Sequence, residues 1–209
     1  MKESRITILI VEDHFVVRLG LTSLINSEPD MCVIAAAEDG AEALLAFRKH
    51  QPAVVLLDLR LPDQSGVSVA AEIRKISPEA RIIVLTTFGG DENVYRAFQA
   101  GAQAYLLKDV PKAEFLAAIR GVYRGNYAIP PEIAAHLAHR VSQPELSRRE
   151  LEVLRLIVKG QSNKEIASNL SVTESTVKQH VNVLLQKLQV HDRTQAATSA
   201  IRSGLVSLE

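Results

Sequence analysis

The chain has 209 residues, enough for one large domain or two ordinary ones, and its 47% apolar and 23% charged residues are typical of a soluble globular protein. The formal net charge is zero, so overall charge does not point to a nucleic-acid partner, and the single cysteine, Cys32, excludes a disulfide framework and cysteine metal sites. No apolar stretch reaches membrane-spanning length and no long apolar core follows the N-terminal charges, so we expect a cytoplasmic protein without a membrane partner.

Over residues 1–125, short apolar runs alternate with amphipathic stretches. The runs predict five strands, at Ile6–Val11, Cys32–Ala37, Val54–Leu57, Ile82–Leu85 and Ala104–Leu107. The stretches between them have helical spacing, and the first carries the pattern Phe15, Leu19, Leu24 and Ile25. This alternation predicts an α/β domain, a doubly wound five-stranded parallel sheet with helices on both faces. Right-handed crossovers and the length favour the flavodoxin-like strand order.

Strand signals stop after Gly125. Residues 126–145 form a predicted linker, in which Pro130-Pro131 begins a short helix and residues 142–144 mark a break. Everything from residue 146 to residue 209 has a helical pattern. Capping signals divide this part into four short helices: Ser147-x-x-Glu150, Ser162-x-x-Glu165, Thr173 and Asp192-x-x-Gln195. We therefore expect a second, small, all-α domain.

Charged and hydroxyl side chains follow four of the five predicted strands. They are Glu12 and Asp13 after the first strand, Asp58 after the third, Thr86 after the fourth and Lys108 after the fifth. The carboxyl ends of parallel strands meet at one edge of a sheet, so these groups share a small space. Three carboxylates so close together need a cation, and hard oxygen ligands without histidine or cysteine suit Mg²⁺.

This set of groups meets the needs of phosphoryl transfer onto an aspartate. Asp58 is the candidate nucleophile, and Mg²⁺ with Lys108 would neutralise the charge that builds up on the phosphoryl oxygens. Taken singly, the acidic pair could cap a helix and Lys108 could be solvated. An aspartyl-phosphate hydrolase would use similar chemistry, but it needs a second acid two residues beyond the nucleophile, and that position holds Arg60.

Residues 5–124 resemble the receiver domain of two-component response regulators. The resemblance rests on residues 10–14, 56–66, 83–87 and 101–109, which match the family's motifs in order. It implies that Asp58 accepts a phosphoryl group from a sensor histidine kinase and that Lys108 contacts that group. It also implies that Asp13, Asp58 and the main-chain carbonyl of Arg60 hold Mg²⁺, with Glu12 acting through water. Thr86 and Tyr105 would then form the switch that senses phosphorylation.

The second domain contains a helix-turn-helix pattern. A short helix over residues 162–170 is followed by a tight turn and a longer helix over residues 173–188. On the longer helix, apolar residues recur at helical spacing and fix the buried side: Val177, Val181, Leu184 and Leu188. A polar set faces outward, comprising Ser175, Lys178, Gln179, Asn182 and Gln186. Lysine can donate to guanine, and glutamine or asparagine can pair with adenine, although such a face is often only solvated.

Residues 146–205 closely resemble the LuxR-type helix-turn-helix of the NarL/FixJ regulators. The matching stretches are residues 146–154, 160–167 and 173–181, followed by Leu188, Arg193 and Ala196-Ala197. The resemblance implies base contacts from Lys178, Gln179 and Asn182. It makes Thr176, Asn163, Lys164 and Arg193 candidates for contacting DNA phosphates or for supporting the recognition helix.

Together the two resemblances predict a transcriptional response regulator that is not an enzyme, apart from promoting its own phosphorylation and dephosphorylation. Phosphorylation of Asp58 would shift the receiver, free the helix-turn-helix and promote a homodimer on double-stranded DNA. A DNA-binding regulator that works without phosphorylation is the alternative. The complete set Asp13, Asp58, Thr86 and Lys108 favours the first reading.

Overall fold

A computed structural model of the chain describes residues 5–87, 90–142, 144–203 and 205–206. The chain divides into two compact units, one made of residues 1–89 and 96–134, the other of residues 90–95 and 135–209. Gln143, inside the predicted break, lies outside the described residues. No helix in the described ranges is long and apolar enough to cross a membrane.

The first unit is built on a parallel sheet with strand order β2-β1-β3-β4-β5, which confirms the predicted flavodoxin-like fold. The strands are β1 (Ile6–Val11), β2 (Met31–Ala37), β3 (Val54–Leu57), β4 (Ile82–Thr86) and β5 (Ala104–Leu107). The helices between and after them are α1 (Phe15–Asn26), α2 (Gly40–His50), α3 (Gly66–Ile76), α4 (Asp91–Gln99) and α5 (Lys112–Tyr123). Three strands match the prediction at both ends; β2 begins one residue earlier and β4 ends one residue later.

The sheet is covered on both faces, which is why its strands are apolar in successive positions rather than in alternate ones. Side chains along a strand point to opposite faces in turn. Ile8 and Ile10 belong to the core that contains residues of α1 and α5, whereas Leu9 and Val11 belong to the core that contains residues of α2 and α3. All four residues of β3 are buried, as expected for the central strand.

Helix α1 forms where its apolar pattern predicts, but that pattern does not mark a single buried face. Ile25 is fully buried and Leu24 packs against the core, whereas Phe15 and Leu19 are 66% and 57% exposed. The first turns of α1 therefore carry apolar side chains on the surface.

The second unit contains the helices α7 (Arg148–Val158), α8 (Asn163–Leu170), α9 (Glu174–Lys187) and α10 (Arg193–Ser203). Two small apolar clusters hold them together, one around Ile166 and Val177 and the other around Leu184 and Ala200. The predicted start signals are confirmed at all four helices. Ser147 and Ser162 form complete capping boxes, and Thr173 accepts a hydrogen bond from the Thr176 N–H. Before α10, Asp192 Oδ1 accepts a hydrogen bond from the Gln195 N–H at 2.8 Å.

The linker helix α6 (Pro131–Ser142) also contributes to the second unit, in which its residues contact the first turns of α4. Arg140 pairs with Glu92 and lies over the Tyr95 ring, 4.6 Å from its centroid, and both charged side chains are largely buried. His136 and His139 each lie 2.5 Å from a different oxygen of Asp91. Residues 90–95, which make these contacts, belong to the second unit, whereas α4 from Arg96 onward belongs to the first.

Gly66, the first residue of α3, lies directly against the backbone that carries Asp58. A Cβ atom at this position would lie 2.1 Å from the Asp58 carbonyl oxygen and 2.8 Å from the Leu59 Cα. Backbone cannot move aside as a flexible side chain can, so only glycine fits here without displacing the end of β3.

We expect Gly66→Ala to lower the free energy of unfolding by about 1–3 kcal/mol, the usual effect of overpacking. Gly20 is the matched control, since it lies in α1 and a Cβ there would meet nothing within 4 Å. Gly20→Ala should raise the free energy of unfolding by about 0.5–1 kcal/mol, because alanine loses less backbone entropy in a helix. Urea unfolding of both variants measures the difference, and equal stabilities would show that the α3 start is not packed on Asp58.

Candidate functional site

The carboxylates of the candidate site are placed by hydrogen bonds that continue the sheet past the strand ends. The Glu12 N–H donates to the Ala37 carbonyl at 3.0 Å, and the Asp58 N–H donates to the Val11 carbonyl at 3.0 Å. Both residues therefore keep a strand-like position at the carboxyl edge, and their side chains are nearly inaccessible to solvent, with Glu12 1% and Asp58 5% exposed. The predicted convergence of the first and third strand ends is present.

Lys108 joins these two carboxylates. Its Nζ lies 2.7 Å from Glu12 Oε2 and 2.6 Å from Asp58 Oδ2, and its side chain is 15% exposed. The Lys108 N–H donates to the Thr86 carbonyl at 2.9 Å, which fixes the lysine at the ends of β4 and β5. Burial lowers the pKa of Lys108, but the hydrogen bonds and charges of Asp58 and Glu12 outweigh it and raise that pKa overall. The ammonium therefore stays charged and offsets part of the buried negative charge.

Asp13 lies beside this buried group and is more accessible, with its side chain 33% exposed. His14 Nδ1 lies 2.8 Å from Asp13 Oδ1 and 3.5 Å from Glu12 Oε1, so one ligand atom from each of the three residues falls within 4.8 Å of the others. No histidine was predicted at this edge. The position of His14 directly after the acidic pair is the feature of the sequence that could have predicted it.

Arg60, two residues after Asp58, contributes to the site through its backbone. The Arg60 N–H donates to Asp58 Oδ1 at 3.3 Å, which orients one carboxylate oxygen while Lys108 holds the other. The chain then turns into α3, with the Gly66 N–H donating to the Leu59 carbonyl at 2.9 Å. Both oxygens of Asp58 are thus held in place at the end of β3.

The donor set of this site fits a hard divalent cation. Glu12, Asp13 and Asp58 supply carboxylate oxygens at one edge of the sheet, and Mg²⁺ binds through one or two carboxylates while it keeps several waters. The partial exposure of Asp13 leaves room for such waters. The residues present therefore suit Mg²⁺.

Thr86 is the last residue of β4, and Tyr105 is the second residue of the neighbouring strand β5, where it pairs with Val84; both are fully buried. The Thr86 hydroxyl has no hydrogen-bond partner among the residues that the structure describes. Burial raises the pKa of the Tyr105 hydroxyl, and the negative charge of Asp58 raises it further. The predicted switch pair thus consists of a buried hydroxyl that has no hydrogen-bond partner among the described residues and a buried tyrosine whose pKa is raised by burial and by the charge of Asp58.

The recognition helix α9 has the two faces that the sequence predicted. Val177 and Leu184 are fully buried, whereas Lys178, Gln179 and Asn182 are exposed. These three polar side chains therefore point away from the core, as predicted for residues that read base edges.

The four other candidates for DNA contact fall into two groups. Lys164 is exposed on α8, and Thr176 lies in the first turn of α9, where its N–H is capped by Thr173. Arg193, in contrast, donates to the Gln161 carbonyl in the turn before α8, and the side-chain oxygen of Asn163 is buried. Lys164 is therefore on the surface, and the Thr176 hydroxyl lies 2.9 Å from the Thr173 hydroxyl. Arg193 and Asn163, in contrast, face contacts within the domain.

Two family models match the chain. The response regulator receiver domain matches residues 8–120, and the bacterial regulatory proteins of the luxR family match residues 144–200. These ranges correspond to the parallel sheet and to the helix-turn-helix.

Whole-chain comparisons agree with both models. The response regulator protein VraR of Staphylococcus epidermidis is 36% identical over an alignment of 206 residues, which covers 96% of this chain and 99% of VraR. The crystal structure of ChrA, a response regulator of a heme-sensing two-component system, shows 33% identity and a TM-score of 0.58 over 97% of this chain and all of ChrA. RcsB of Salmonella typhimurium shares the fold at 22% identity, with a TM-score of 0.73 over 93% of this chain and 98% of RcsB.

The unpartnered Thr86 hydroxyl predicts an unusual gain of stability. Thr86→Val keeps the shape of the side chain and removes a buried polar atom, so we expect the free energy of unfolding to rise by about 1 kcal/mol. Thr7→Val is the matched control, because Thr7 Oγ1 accepts a hydrogen bond from the Ala53 N–H at 3.0 Å. That variant should lose about 1 kcal/mol. Thermal and urea unfolding of the two variants should shift in opposite directions; shifts of the same sign would mean that Thr86 is satisfied.

Proposed function

This chain belongs to the response regulators that join a receiver domain to a LuxR-type DNA-binding domain, and from that premise we propose that phosphorylation of Asp58 controls its binding to DNA. The observation that supports the proposal is the buried bridge of Lys108 between Asp58 and Glu12. A carboxylate held beside a buried ammonium is protected from water and is already paired with the cation that an incoming anion needs.

Phosphoryl transfer would proceed from a phosphohistidine of the sensor kinase. One oxygen of Asp58 attacks the phosphorus while the bond from the histidine nitrogen to phosphorus breaks, and the electron pair of that bond returns to the histidine. Lys108 stays charged beside the transferred oxygens and neutralises part of their charge. Mg²⁺, when bound, supplies further charge neutralisation. We assign it to Asp13, Asp58 and the Arg60 carbonyl, with Glu12 acting through water.

The phosphoryl group adds about two negative charges and strong acceptor oxygens next to Thr86. The Thr86 hydroxyl has no partner among the described residues, so the new acceptor gives it one. Its movement toward the phosphoryl group would change the packing against Tyr105 on the neighbouring strand. We propose that this repacking frees the helix-turn-helix and promotes a homodimer on a two-fold related DNA site.

On DNA, Lys178, Gln179 and Asn182 would read base edges, while Thr176 and Lys164 would contact phosphates. Asn163 and Arg193 would support the recognition helix, a role favoured by the bond from Arg193 to the Gln161 carbonyl. Binding to chromosomal DNA places the protein in the cytoplasm. The site has no second acid two residues after Asp58, so we propose that it promotes only its own phosphorylation and dephosphorylation.

Phosphorylation of Asp58 can be tested with a small phosphodonor. We expect acetyl phosphate and Mg²⁺ to add the mass of one phosphoryl group to the full chain and to tighten its binding to DNA. Asp58→Asn should abolish the mass gain, whereas Asp63→Asn should keep it, since the Asp63 carboxylate accepts hydrogen bonds from the Gly40 and Ala41 N–H groups. Intact-protein mass spectrometry and a DNA-binding assay provide the two measurements.

A wild-type chain that gains no mass would favour the alternative of a phosphorylation-independent regulator. A chain that gains mass without any change in DNA affinity would keep the chemistry and refute the control that we propose.

The proposed DNA contacts predict that substitutions of two lysines change DNA binding in different ways. Lys178→Ala should relax the preference at one base position, because its contact is to a base edge, and cost about 1–3 kcal/mol of binding free energy. Lys164→Ala should weaken binding evenly across sequences and reduce the salt dependence by about one phosphate contact. Lys49, exposed at the end of α2, is the control whose substitution should change neither. Selection from a random DNA pool with each variant distinguishes the two lysines.

A further inference from the structure

Arg18 makes a set of contacts that connects two loops at the carboxyl edge of the sheet. It lies in the first turn of α1, and its side chain is only 12% exposed. One terminal nitrogen donates to the carbonyl oxygens of Glu12 and Asp13, at 2.6 Å and 3.2 Å. The other pairs with the Glu38 carboxylate, which follows β2. The guanidinium lies 5.9 Å from the centroid of the Phe15 ring, the exposed aromatic at the start of α1.

The two carbonyls belong to the residues whose side chains line the proposed cation site. Holding consecutive carbonyls on one nitrogen fixes the backbone between them, and the backbone sets the direction in which each side chain leaves the chain. An unrestrained loop would have to be ordered when the cation binds, and the entropy lost would weaken the binding.

Asp13 depends on this restraint more than Glu12 does. The Glu12 carboxylate is held by Lys108 and by the His14 N–H, at 2.7 Å and 3.2 Å. Among the described residues, the Asp13 carboxylate has its side-chain hydrogen bond from His14, whose own side chain is 72% exposed. The orientation of Asp13 therefore rests mainly on its backbone, which Arg18 holds.

We infer that Arg18 is a positioning residue for the divalent-cation site, acting through the Glu12 and Asp13 carbonyls and not through contact with the ion. This inference rests on the proposed function, which places Mg²⁺ at Asp13 and Asp58. Helix α1 would then help to position the phosphoryl-transfer site, although the surface that it exposes is apolar.

The positive charge of Arg18, considered alone, would weaken Mg²⁺ binding, whereas a positioning role strengthens it. A cation near a metal site repels the metal, so removing the guanidinium would tighten Mg²⁺ binding if electrostatics were its only role. The Glu38 carboxylate pairs with the guanidinium and offsets much of this repulsion. The sign of the change in Mg²⁺ affinity therefore separates positioning from simple charge.

The experiment is a calorimetric titration of the full chain with Mg²⁺. For Arg18→Met we expect the Kd for Mg²⁺ to rise roughly ten-fold, the lower end of the effects seen when a group that orients a metal ligand is removed. Arg18→Lys keeps the charge but has one nitrogen in place of three, so it should restore only part of the affinity. The maximal rate of phosphorylation by acetyl phosphate at saturating Mg²⁺ should stay within about two-fold, while the Mg²⁺ concentration for half-maximal rate rises with the Kd.

Arg120→Met is the matched control for the loss of an ion-paired arginine. Arg120 pairs with Asp30 and Glu28, in the segment before β2, and does not contact the acidic site. This variant should lower the stability of the protein and leave the Kd for Mg²⁺ unchanged. If Arg18→Met unfolds the protein, Arg18→Lys carries the test with the same expected direction.

Three outcomes would overturn the inference. An unchanged Kd in both Arg18 variants, or a tighter one, would show that Arg18 does not position the site. An equal weakening in Arg120→Met would show that the effect comes from general stability. A wild-type chain that binds no Mg²⁺ would refute the proposed metal site itself, and this inference with it.

Discussion

The structure of the site depends on a single ammonium group shared by two buried carboxylates. Glu12 and Asp58 are brought together because their backbone N–H groups continue the hydrogen bonding of the parallel sheet past β1 and β3. Two carboxylates that are 1% and 5% exposed would repel each other strongly in such a place if no cation were near. Lys108 prevents this, since it arrives from β5 and contacts both at 2.6–2.7 Å. The sheet thus brings the two carboxylates together, and Lys108 supplies the positive charge that this arrangement needs.

Much of this arrangement could be predicted from the sequence, because a parallel sheet converts position along the chain into position in space. Apolar runs located β1, β3 and β5 to the residue, and strand ends in such a sheet lie at one edge. That rule places Asp58 and Lys108 at the same edge, and the structure adds that the ammonium contacts both Asp58 and Glu12. The helix-turn-helix could be predicted equally well, because capping residues such as Ser162 and Thr173 mark helix starts through local hydrogen bonds that do not depend on tertiary contacts.

What the sequence did not reveal depends on tertiary contacts. Phe15 and Leu19 have helical spacing, yet they are exposed, since spacing identifies a face but not whether another element covers it. His14 and Arg18 were missed for a related reason. A histidine after two acids and an arginine one turn later are unremarkable in a linear pattern, and only the fold places the guanidinium on the Glu12 and Asp13 carbonyls.

Under the proposed function, the Thr86 hydroxyl, which has no hydrogen-bond partner among the described residues, would keep the dephosphorylated state ready to change. A buried polar group without a hydrogen bond costs about 1–3 kcal/mol, and a phosphoryl group on Asp58 would remove that cost. A shift of a two-state equilibrium from 1:99 to 99:1 requires about 5.5 kcal/mol, so the threonine alone is insufficient. The remainder must come from the charge itself. Under the proposed function, Lys108, which balances Glu12 and Asp58, would have to balance a phosphoryl group as well, and its redistribution would be the larger part of the signal. Thr86 and Tyr105 would then give the change its direction at β4 and β5, while the lysine and a bound cation would supply most of its energy.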